Sequence, residues 1–285
     1  MGKAEVKIIE CPRDAMQGIK KPIPTSWKVQ YINALLEVGF DTIDFGSFVS
    51  PKAIPQMADT SEVLEQLNLS KSSSGLLAIV ANQRGGQEAC RKSEIEYIGY
   101  PYSISPTFLK RNINKDTTEA FEIALDLKKM ADEHQKALVV YISMAFGNPY
   151  SDEWGIDLLR EHTGKLVENG INIISISDTV GIADPDKVHH VFDSLLKKFR
   201  EIEFGLHLHT TSKAWYEKID AAYLAGCRRF DSVLNGLGGC PMAGPDLVGN
   251  VRTTDLLQYF EDKGIQTGID AEKLLVAAEL AKNMI

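Results

Sequence analysis

The chain has 285 residues, of which 44% are hydrophobic and 25% are charged, and its formal net charge is −8 at pH 7. This composition is typical of a folded globular protein and excludes disordered and collagen-like chains. The acidic balance, without a clustered Lys/Arg surface, argues against a general nucleic-acid binder.

Membrane and secretory signals are missing from the sequence. No apolar run approaches the roughly 18 residues that a membrane-spanning helix needs, and the N-terminal MGKAEVKIIE lacks the apolar core of a signal peptide. The four cysteines (Cys11, Cys90, Cys227 and Cys240) form neither a CxxC pair nor a zinc-finger spacing, which indicates thiols rather than disulfides. These features predict a soluble cytoplasmic protein with no membrane partner.

Eight short runs rich in β-branched residues recur along the chain and predict strands. In chain order they are VKIIEC (6–11), TIDFGSF (42–48), GLLAIVA (75–81), IEYIGYP (95–101), ALVVYISMAF (137–146), INIISISD (171–178), IEFGLHLHTT (202–211) and RRFDSVLNG (228–236). The segments between and after them read as amphipathic helices, several with Ser, Thr or Asp as a candidate N-cap. They include SWKVQYINALLEVG, TTEAFEIALDLKKMADEH, EWGIDLLREHTGKLVENG, DPDKVHHVFDSLLKKF and TTDLLQYFEDKG.

The alternation of strands and helices predicts the fold class. Parallel pairing with right-handed crossovers follows from it, and eight unbroken units favour an α/β fold, a closed (β/α)8 TIM barrel. A further helix near 270–283 is an addition at the C-terminus. An open Rossmann sheet is the competitor, but CPRDAMQG follows the first strand where G-x-G-x-x-G would be required. No linker is visible, so residues 1–285 are predicted to form a single domain.

Polar residues at the carboxyl ends of the predicted strands carry functional information, because active sites of such barrels lie there. They are Glu10, Arg13, Asp14, Asp44, Ser47, Ser175, Asp178, His207, His209 and Asn235. The sharpest signal is the pair His207 and His209, whose side chains point to the same face of a strand and can bind one metal ion. The alternative is that one of them is a hydrogen-bonded core histidine.

Other candidates are weaker taken singly. Arg13 and Asp14 would rise side by side at the barrel mouth, or form a surface salt bridge. Cys240 lies in GLGGCPMAG, where glycines allow close backbone approach to a ligand, and its thiol could donate or accept a proton. Four basic residues are candidates for phosphate contacts or ordinary surface charges: Lys20, Lys21, Lys110 and Arg111.

Together these segments resemble the hydroxymethylglutaryl-CoA lyase family of TIM-barrel metallolyases. The matching segments are VKIIECPRDAMQ, SFVSPKAIPQMADTSEVL, ISISDTVG, HLH, and GLGGCPMAG followed by GNVRTTDLL, and the resemblance runs from about residue 6 to 270. The SFVSPK-x-x-PQMAD stretch and the glycine loop with its cysteine are specific to the lyase branch. Relatives that make isopropylmalate or homocitrate lack that loop, so cleavage is favoured over condensation.

The resemblance implies a single catalytic domain that cleaves 3-hydroxy-3-methylglutaryl-CoA (HMG-CoA) to acetyl-CoA and acetoacetate. Its implied metal ligands are Asp14, His207, His209 and Asn250, around Mg2+ or Mn2+, with Zn2+ not excluded. Its implied catalytic residues are Arg13, Asp14, Asp44, His207 and Cys240. Its implied substrate-binding residues are Lys20, Ser47, Ser175 and Asp178. Barrels of this type often pair, so a homodimer is compatible with it.

Four departures from the family pattern concern the exact substrate. Cys11 stands in place of Val-Gly, Asp44 replaces a glutamate, and Thr210 replaces an aspartate after the second histidine; the interval from Cys240 to Asn250 is one residue longer. None removes a predicted metal ligand. Two alternatives stay open: a related metal-dependent aldolase or Claisen-type acyl-CoA synthase, and a non-catalytic barrel that binds CoA or metal.

Overall fold

The computed structural model describes residues 4–70, 72–211, 214–239, 248–282 and 284. Eight parallel strands alternate with helices and pair in chain order, the last strand with the first, so that they close a barrel. The predicted (β/α)8 TIM barrel with an additional C-terminal helix is confirmed. Among the described helices, none combines the length and the apolar composition needed to cross a bilayer.

The strands agree with the eight predicted runs to within a few residues. They are β1 (Lys7–Glu10), β2 (Thr42–Ser47), β3 (Gly75–Ile79), β4 (Ile95–Ser103), β5 (Ala137–Ser143), β6 (Ile173–Asp178), β7 (Glu203–Leu208) and β8 (Arg229–Ser232). The last strand is shorter than predicted, because only four residues of RRFDSVLNG pair with its neighbours. The rest of that run leaves the barrel wall and enters the loop above it.

The helices cover the outside of the barrel, and one short helix follows the first strand directly. They are α1 (Pro12–Gln17), α2 (Thr25–Leu36), α3 (Thr60–Leu64), α4 (Gln83–Cys90), α5 (Pro106–Asn112), α6 (Thr117–Glu133), α7 (Ile156–Glu168), α8 (Pro185–Lys198), α9 (Trp215–Ala225), α10 (Thr253–Asp262) and α11 (Ala271–Lys282). A 3-10 turn spans Pro55–Met57. The predicted N-cap Asp184 is confirmed. The helix that begins at Thr117 is capped one residue before the predicted segment, by Asp116, whose full capping box with Glu119 satisfies two otherwise unpaired amides.

The barrel interior is divided between an apolar and a polar half. A small apolar cluster of Leu77, Ile79, Val139 and Tyr141 fills the side under β3 and β5, separate from the main core between strands and helices. Gly99 leaves room for it, since a Cβ there would lie 2.5 Å from Ile79 Cδ1. Charged side chains occupy the opposite side, on and near β7, β8, β1 and β2, and these build the site described below.

Glu10, at the end of β1, ties the loop after β8 to α10. Its Oε1 accepts a 2.8 Å hydrogen bond from the Leu234 amide, its Oε2 lies 2.5 Å from Thr253 Oγ1, and Thr253 Oγ1 donates to Ser232 Oγ at 2.9 Å. Burial raises the pKa of Glu10 to about 8, although the hydrogen bonds of Thr253 and Leu234 lower it. The folded state therefore keeps a proton on Glu10 at neutral pH.

The raised pKa of Glu10 makes the stability of the fold depend on pH, and the variant Glu10→Gln tests this dependence. The folded-state pKa lies above the unfolded value near 4.5, so Glu10 destabilises the fold progressively as pH rises from about 4.5 to 8. The substituted amide side chain does not titrate. We expect the melting temperature of the variant, relative to the parent, to rise by several degrees between pH 5 and pH 8.5. An equal difference at both pH values would contradict the assignment.

Candidate active site

Three of the four predicted metal ligands come together at the carboxyl ends of the strands. Asp14, His207 and His209 each offer one ligand atom, and these atoms lie within 4.8 Å of one another. All three side chains are buried, and the two imidazole rings lie 4.9 Å apart at nearly a right angle. The histidines share a face because they are two residues apart in extended backbone.

Asp14 reaches the cluster because of the short helix after the first strand. Pro12 occupies the first turn of α1, where its missing N–H costs nothing, and it fixes the start of the helix directly above β1. The helix buries both Arg13 and Asp14 above the barrel interior. The expectation that these two residues rise side by side at the barrel mouth is met, with a helix in place of a loop.

The fourth predicted ligand, Asn250, also touches the cluster. It forms an isolated antiparallel bridge with His209, and its Nδ2 donates to Asp14 Oδ2 at 2.6 Å and to the Leu237 carbonyl at 2.9 Å. Its amide nitrogen therefore faces the carboxylate in this structure. Asp14 and Asn250 are 236 positions apart in the sequence, and the closure of the barrel brings them together.

Gly238, in the glycine loop, packs directly on this pair. Its φ of +113° favours glycine. A Cβ at this position would lie 2.6 Å from Asp14 Oδ2 and would also overlap the Asn250 amide nitrogen. The loop glycine is therefore required by the close approach of the loop backbone to the candidate ligands.

Gly238→Ala should displace Asp14 and Asn250 together. We expect weaker binding of Mn2+ by about 10-fold or more, on the scale of disturbing the groups that orient a ligand. Isothermal titration calorimetry would measure it, with Gly264→Ala as the control, since Gly264 also has a positive φ but a Cβ there meets no atom within 4 Å. Equal Mn2+ affinity in the two variants would contradict the role of Gly238.

Arg13 joins the cluster to β2 through a buried ion-pair network. Its Nε and Nη2 contact Asp44 Oδ2 at 3.0 and 2.5 Å, and its Nη1 donates to Asp14 Oδ1 at 3.1 Å and to Gln17 Oε1 at 3.0 Å. These contacts use four of the five N–H groups of a guanidinium, so one on Nη2 is left for a substrate. Gln17 also donates to Asp14 Oδ1 at 2.6 Å and so fixes the carboxylate.

His207 is held from below by a carboxylate that the sequence analysis did not single out. Asp231, on β8, lies 2.9 Å from His207 Nδ1 through its Oδ2. The contact follows from strand register, because Gly205 pairs with Arg229 and Leu206 with Phe230, which sets the next residues opposite each other. With Nδ1–H donated to Asp231, Nε2 of His207 is left to bind a cation.

Asp14 is ionised in this environment. Burial alone would raise its pKa, but the Arg13 charge, the two histidines and the Asn250 amide outweigh burial and lower the pKa to about 2. A carboxylate this acidic is a good ligand for a hard cation and a weak base.

The pKa values of the two histidines shift in opposite directions. Burial lowers the pKa of His209 to about 4, with a further contribution from His207. Burial would also lower the pKa of His207, but its hydrogen bond and ion pair with Asp231 dominate and raise it. His209 is therefore neutral at pH 7, and cation binding at His207 competes with protonation of its ring.

The donor set fits a divalent cation. Nδ1 of His209 is buried and has no hydrogen-bond partner among the described residues, and a bound metal ion would supply the missing partner. Two imidazole nitrogens and carboxylate and amide oxygens, without a thiolate, suit a borderline-to-hard ion such as Mg2+ or Mn2+.

A cavity of about 150 Å3 opens beside the cluster. Arg13, Asp14, His207 and His209 form its polar end. The rest of its wall is mostly apolar and comes from the loops and strand ends of the opposite side: Val49, Ala53, Ile54, Ile79, Ala81, Pro101, Phe108, Ile113 and Tyr141. Several small polar side chains interrupt this wall: Ser47, Asn112, Ser143, Ser177 and Thr179.

The predicted substrate-binding residues divide between this cavity and other places. Ser47 lines the cavity, whereas Ser175 is buried outside its lining and Lys20 is exposed at the surface. Asp178 accepts hydrogen bonds from the amides of Ile182 and Ala183, at 3.0 Å each, which favours a structural role in the loop after β6. Cys240 lies outside the described residues.

Comparison with known proteins was made on the sequence and on the fold. The model of the HMGL-like family matches residues 5–281. Hydroxymethylglutaryl-CoA lyase YngG of Bacillus subtilis (strain 168) is 35% identical over 271 residues, covering 94% of this chain and 89% of that protein. (R)-citramalyl-CoA lyase of Chloroflexus aurantiacus is 31% identical over 281 residues, covering 94% and 87%.

Solved structures of HMG-CoA lyases superpose closely on this chain. The HMG-CoA lyase structure from Bacillus subtilis superposes with a TM-score of 0.91 at 33% identity, covering 99% of this chain and 94% of that one. An HMG-CoA lyase from Acinetobacter baumannii, in complex with coenzyme A and 3-methylmalate, gives a TM-score of 0.90 at 29% identity, with 98% and 90% covered.

Proposed function

The chain belongs to the HMGL-like family, and from that membership and the geometry of the cluster we propose a divalent-metal-dependent lyase that cleaves HMG-CoA to acetyl-CoA and acetoacetate. The observation that carries the proposal is the convergence of Asp14, His207 and His209, buried at one wall of a small cavity. We further propose that residues 1–285 act as one catalytic domain.

The cation would be held by Asp14, His207, His209 and Asn250. For Asn250 to bind the cation, its amide must turn its oxygen towards the cation, because cations bind oxygen. The hydrogen bonds that its Nδ2 donates to Asp14 and to the Leu237 carbonyl would then be given up. When bound, a divalent cation supplies positive charge that lowers the pKa of a substrate hydroxyl and fixes its orientation.

Arg13 would act on the charge that develops during cleavage. Breaking the C–C bond leaves acetoacetate and the enolate of acetyl-CoA, and the proton lost by the hydroxyl is balanced by one gained at the enolate carbon. Arg13 lines the cavity with one Nη2 hydrogen unused, and Asp44 and Asp14 fix the guanidinium from two sides. A donor positioned in advance stabilises the enolate oxygen without reorganisation.

The acid and base roles follow from the surroundings of each group. Asp14 has a depressed pKa and accepts hydrogen bonds on both oxygens, which supports a ligand role over a general-base role. Cys240 stays the predicted proton donor to the enolate carbon.

Cys240→Ala is expected to spare folding and metal binding and to lower kcat by about 10²–10⁴, the usual contribution of a general acid. Steady-state assays on HMG-CoA, with circular dichroism as the folding check, measure both. An unchanged kcat would reject the cysteine as the acid.

The apolar wall of the cavity supports a substrate with a branched, largely hydrocarbon acyl centre, and the polar end supports its hydroxyl and carboxylate. A related aldolase or Claisen-type synthase is not favoured, because the relatives that are 31–35% identical to this chain are named as lyases. Among lyase substrates, HMG-CoA is proposed over citramalyl-CoA, because relatives named for HMG-CoA recur. A cytoplasmic location and a homodimer stay predictions.

The direct test incubates the purified protein with HMG-CoA and Mn2+ and identifies the products by mass spectrometry. We expect equal amounts of acetyl-CoA and acetoacetate, and no products after treatment with EDTA until Mn2+ is restored. Citramalyl-CoA serves as the comparison substrate. Cleavage of citramalyl-CoA alone would make citramalyl-CoA the substrate in place of HMG-CoA. No cleavage of either thioester despite Mn2+ binding would favour the non-catalytic barrel.

A further inference from the structure

A buried arginine lies in the barrel interior below the candidate metal ligands. Arg229, on β8, is 1% exposed. Gly205 on the neighbouring strand makes room for it, since a Cβ there would lie 3.0 Å from Arg229 Cδ and 3.1 Å from Cγ. Burying a guanidinium is costly unless its charge is compensated, so this arginine needs a physical reason.

The contacts that Arg229 makes at the amino ends of the strands use only some of its N–H donors. Its Nη1 donates to Glu203 Oε1 at 3.1 Å and lies 3.6 Å from Asp41 Oδ1, both carboxylates being about 30% exposed at the amino ends of the strands. Its Nε and Nη2 are buried and make no hydrogen bond within the described residues. These two donors therefore need a hydrogen-bond acceptor in the barrel interior.

The matching acceptor is two residues away on the same face of β8. Asp231 uses Oδ2 on His207, while its Oδ1 is buried without a hydrogen-bond partner among the residues described. The hydroxyl of Tyr141 is unpaired in the same sense. Unpaired buried donors and acceptors in one small region are the condition under which proteins hold ordered interior water.

The charges of these groups also favour a pairing of Arg229 with Asp231. Asp231 is a buried carboxylate, and His207 is neutral whenever its Nε2 binds a cation, so it cannot then compensate Asp231. Arg229 is a buried positive group close enough to interact electrostatically with Asp231. This positive charge also disfavours a second cation between Cys11, His207 and Asp231, although their ligand atoms lie within 4.8 Å of one another.

We propose that Arg229 is a positioning residue for the cation site: by its charge and through bridging water it holds the Asp231 carboxylate, which in turn holds His207 with Nε2 aimed at the cation. This inference rests on the proposed metal-dependent function. It adds to that function a line of three side chains, Arg229, Asp231 and His207, that runs from the amino ends of the strands to the ligands.

The test measures Mn2+ affinity by electron paramagnetic resonance in a double-mutant cycle. Asp231→Asn should weaken Mn2+ binding about 10–100-fold, the usual effect of losing the partner of a ligating histidine. Arg229→Met should weaken it about 10-fold. Combined with Asp231→Asn, Arg229→Met should cost less than about 2-fold more, because its effect passes through Asp231. Arg228→Met, at the exposed neighbouring arginine, is the control and should bind Mn2+ as the parent does.

Unchanged Mn2+ affinity in Arg229→Met, or losses that multiply in the double variant, would overturn the proposal, even if the variant melts at a lower temperature. If Arg229→Met does not fold, Arg229→Lys carries the same cycle: it should weaken binding alone but not in the Asp231→Asn background, and an equal loss in both would overturn the proposal. A parent protein that fails to bind Mn2+ would instead contradict the proposed function.

Discussion

Asp14→Asn is expected to abolish specific Mn2+ binding and to lower kcat/KM on HMG-CoA by about 10³ or more, the scale of losing charge stabilisation in a transition state. Asp14 contributes the one carboxylate of the three-residue cluster, and Arg13, Gln17 and Asn250 all hold it in place. The asparagine keeps the size of the side chain and removes its charge.

Calorimetric titration with Mn2+ and activity assays with excess Mn2+ measure this effect. Asp193→Asn is the matched control, because Asp193 is a carboxylate on the outer helix α8 that pairs with Lys197. Retention of Mn2+ binding in Asp14→Asn, with the affinity of the Asp193→Asn control, would remove Asp14 from the ligand set.

Arg13→Gln is the second large expected effect, and it should separate chemistry from metal binding. We expect kcat to fall by about 10³, because a charged donor aimed at the developing enolate is lost. Mn2+ affinity should change by less than about 5-fold, since Gln17 still fixes Asp14. Arg13→Lys should remain strongly impaired, because an ammonium cannot span Asp44 and Asp14 at once.

Parallel measurements of kcat, KM and Mn2+ affinity decide this second case. A variant that loses Mn2+ binding together with activity would make Arg13 a support of Asp14 and not a participant in cleavage. Normal turnover would remove Arg13 from the mechanism altogether.

The fold was predictable because its signals are local. Each strand is a short β-branched run, and each long helix carries an apolar stripe, as in α6 and α8 with their Asp caps. The helix α1 was not predicted, because six residues are too few to show a 3.6-residue period. It matters to the site, since it is the element that carries Arg13 and Asp14.

The site was predictable to the extent that its residues stand at strand ends. His207 and His209 show a spacing that indicates metal binding on its own, whereas Asp14 and Asn250 were assigned by resemblance. Asp231 was missed because it lies within a predicted strand, and only the register of β8 against β7 brings it to His207. An acidic residue in the strand after an HxH strand is a signal that could have found it.

The roles of residues that act through packing and burial were harder still to predict from the sequence. Gln17 follows Asp14 by three residues, a spacing that brings their side chains together only if the segment is helical. Gly238 reads as one of several loop glycines until its backbone is seen against Asp14 and Asn250. Arg229 looks like a surface charge beside Arg228, and only the closed barrel turns it inward.

The central claim is that one divalent cation is bound jointly by Asp14, His207 and His209. The most direct measurement is an anomalous difference map from crystals of the protein soaked in Mn2+. The account predicts one strong peak with these three side chains at about 2.0–2.3 Å from it and the Asn250 amide oxygen turned towards it. A peak at another position, or no peak near the two imidazoles in Mn2+-soaked crystals, would contradict it.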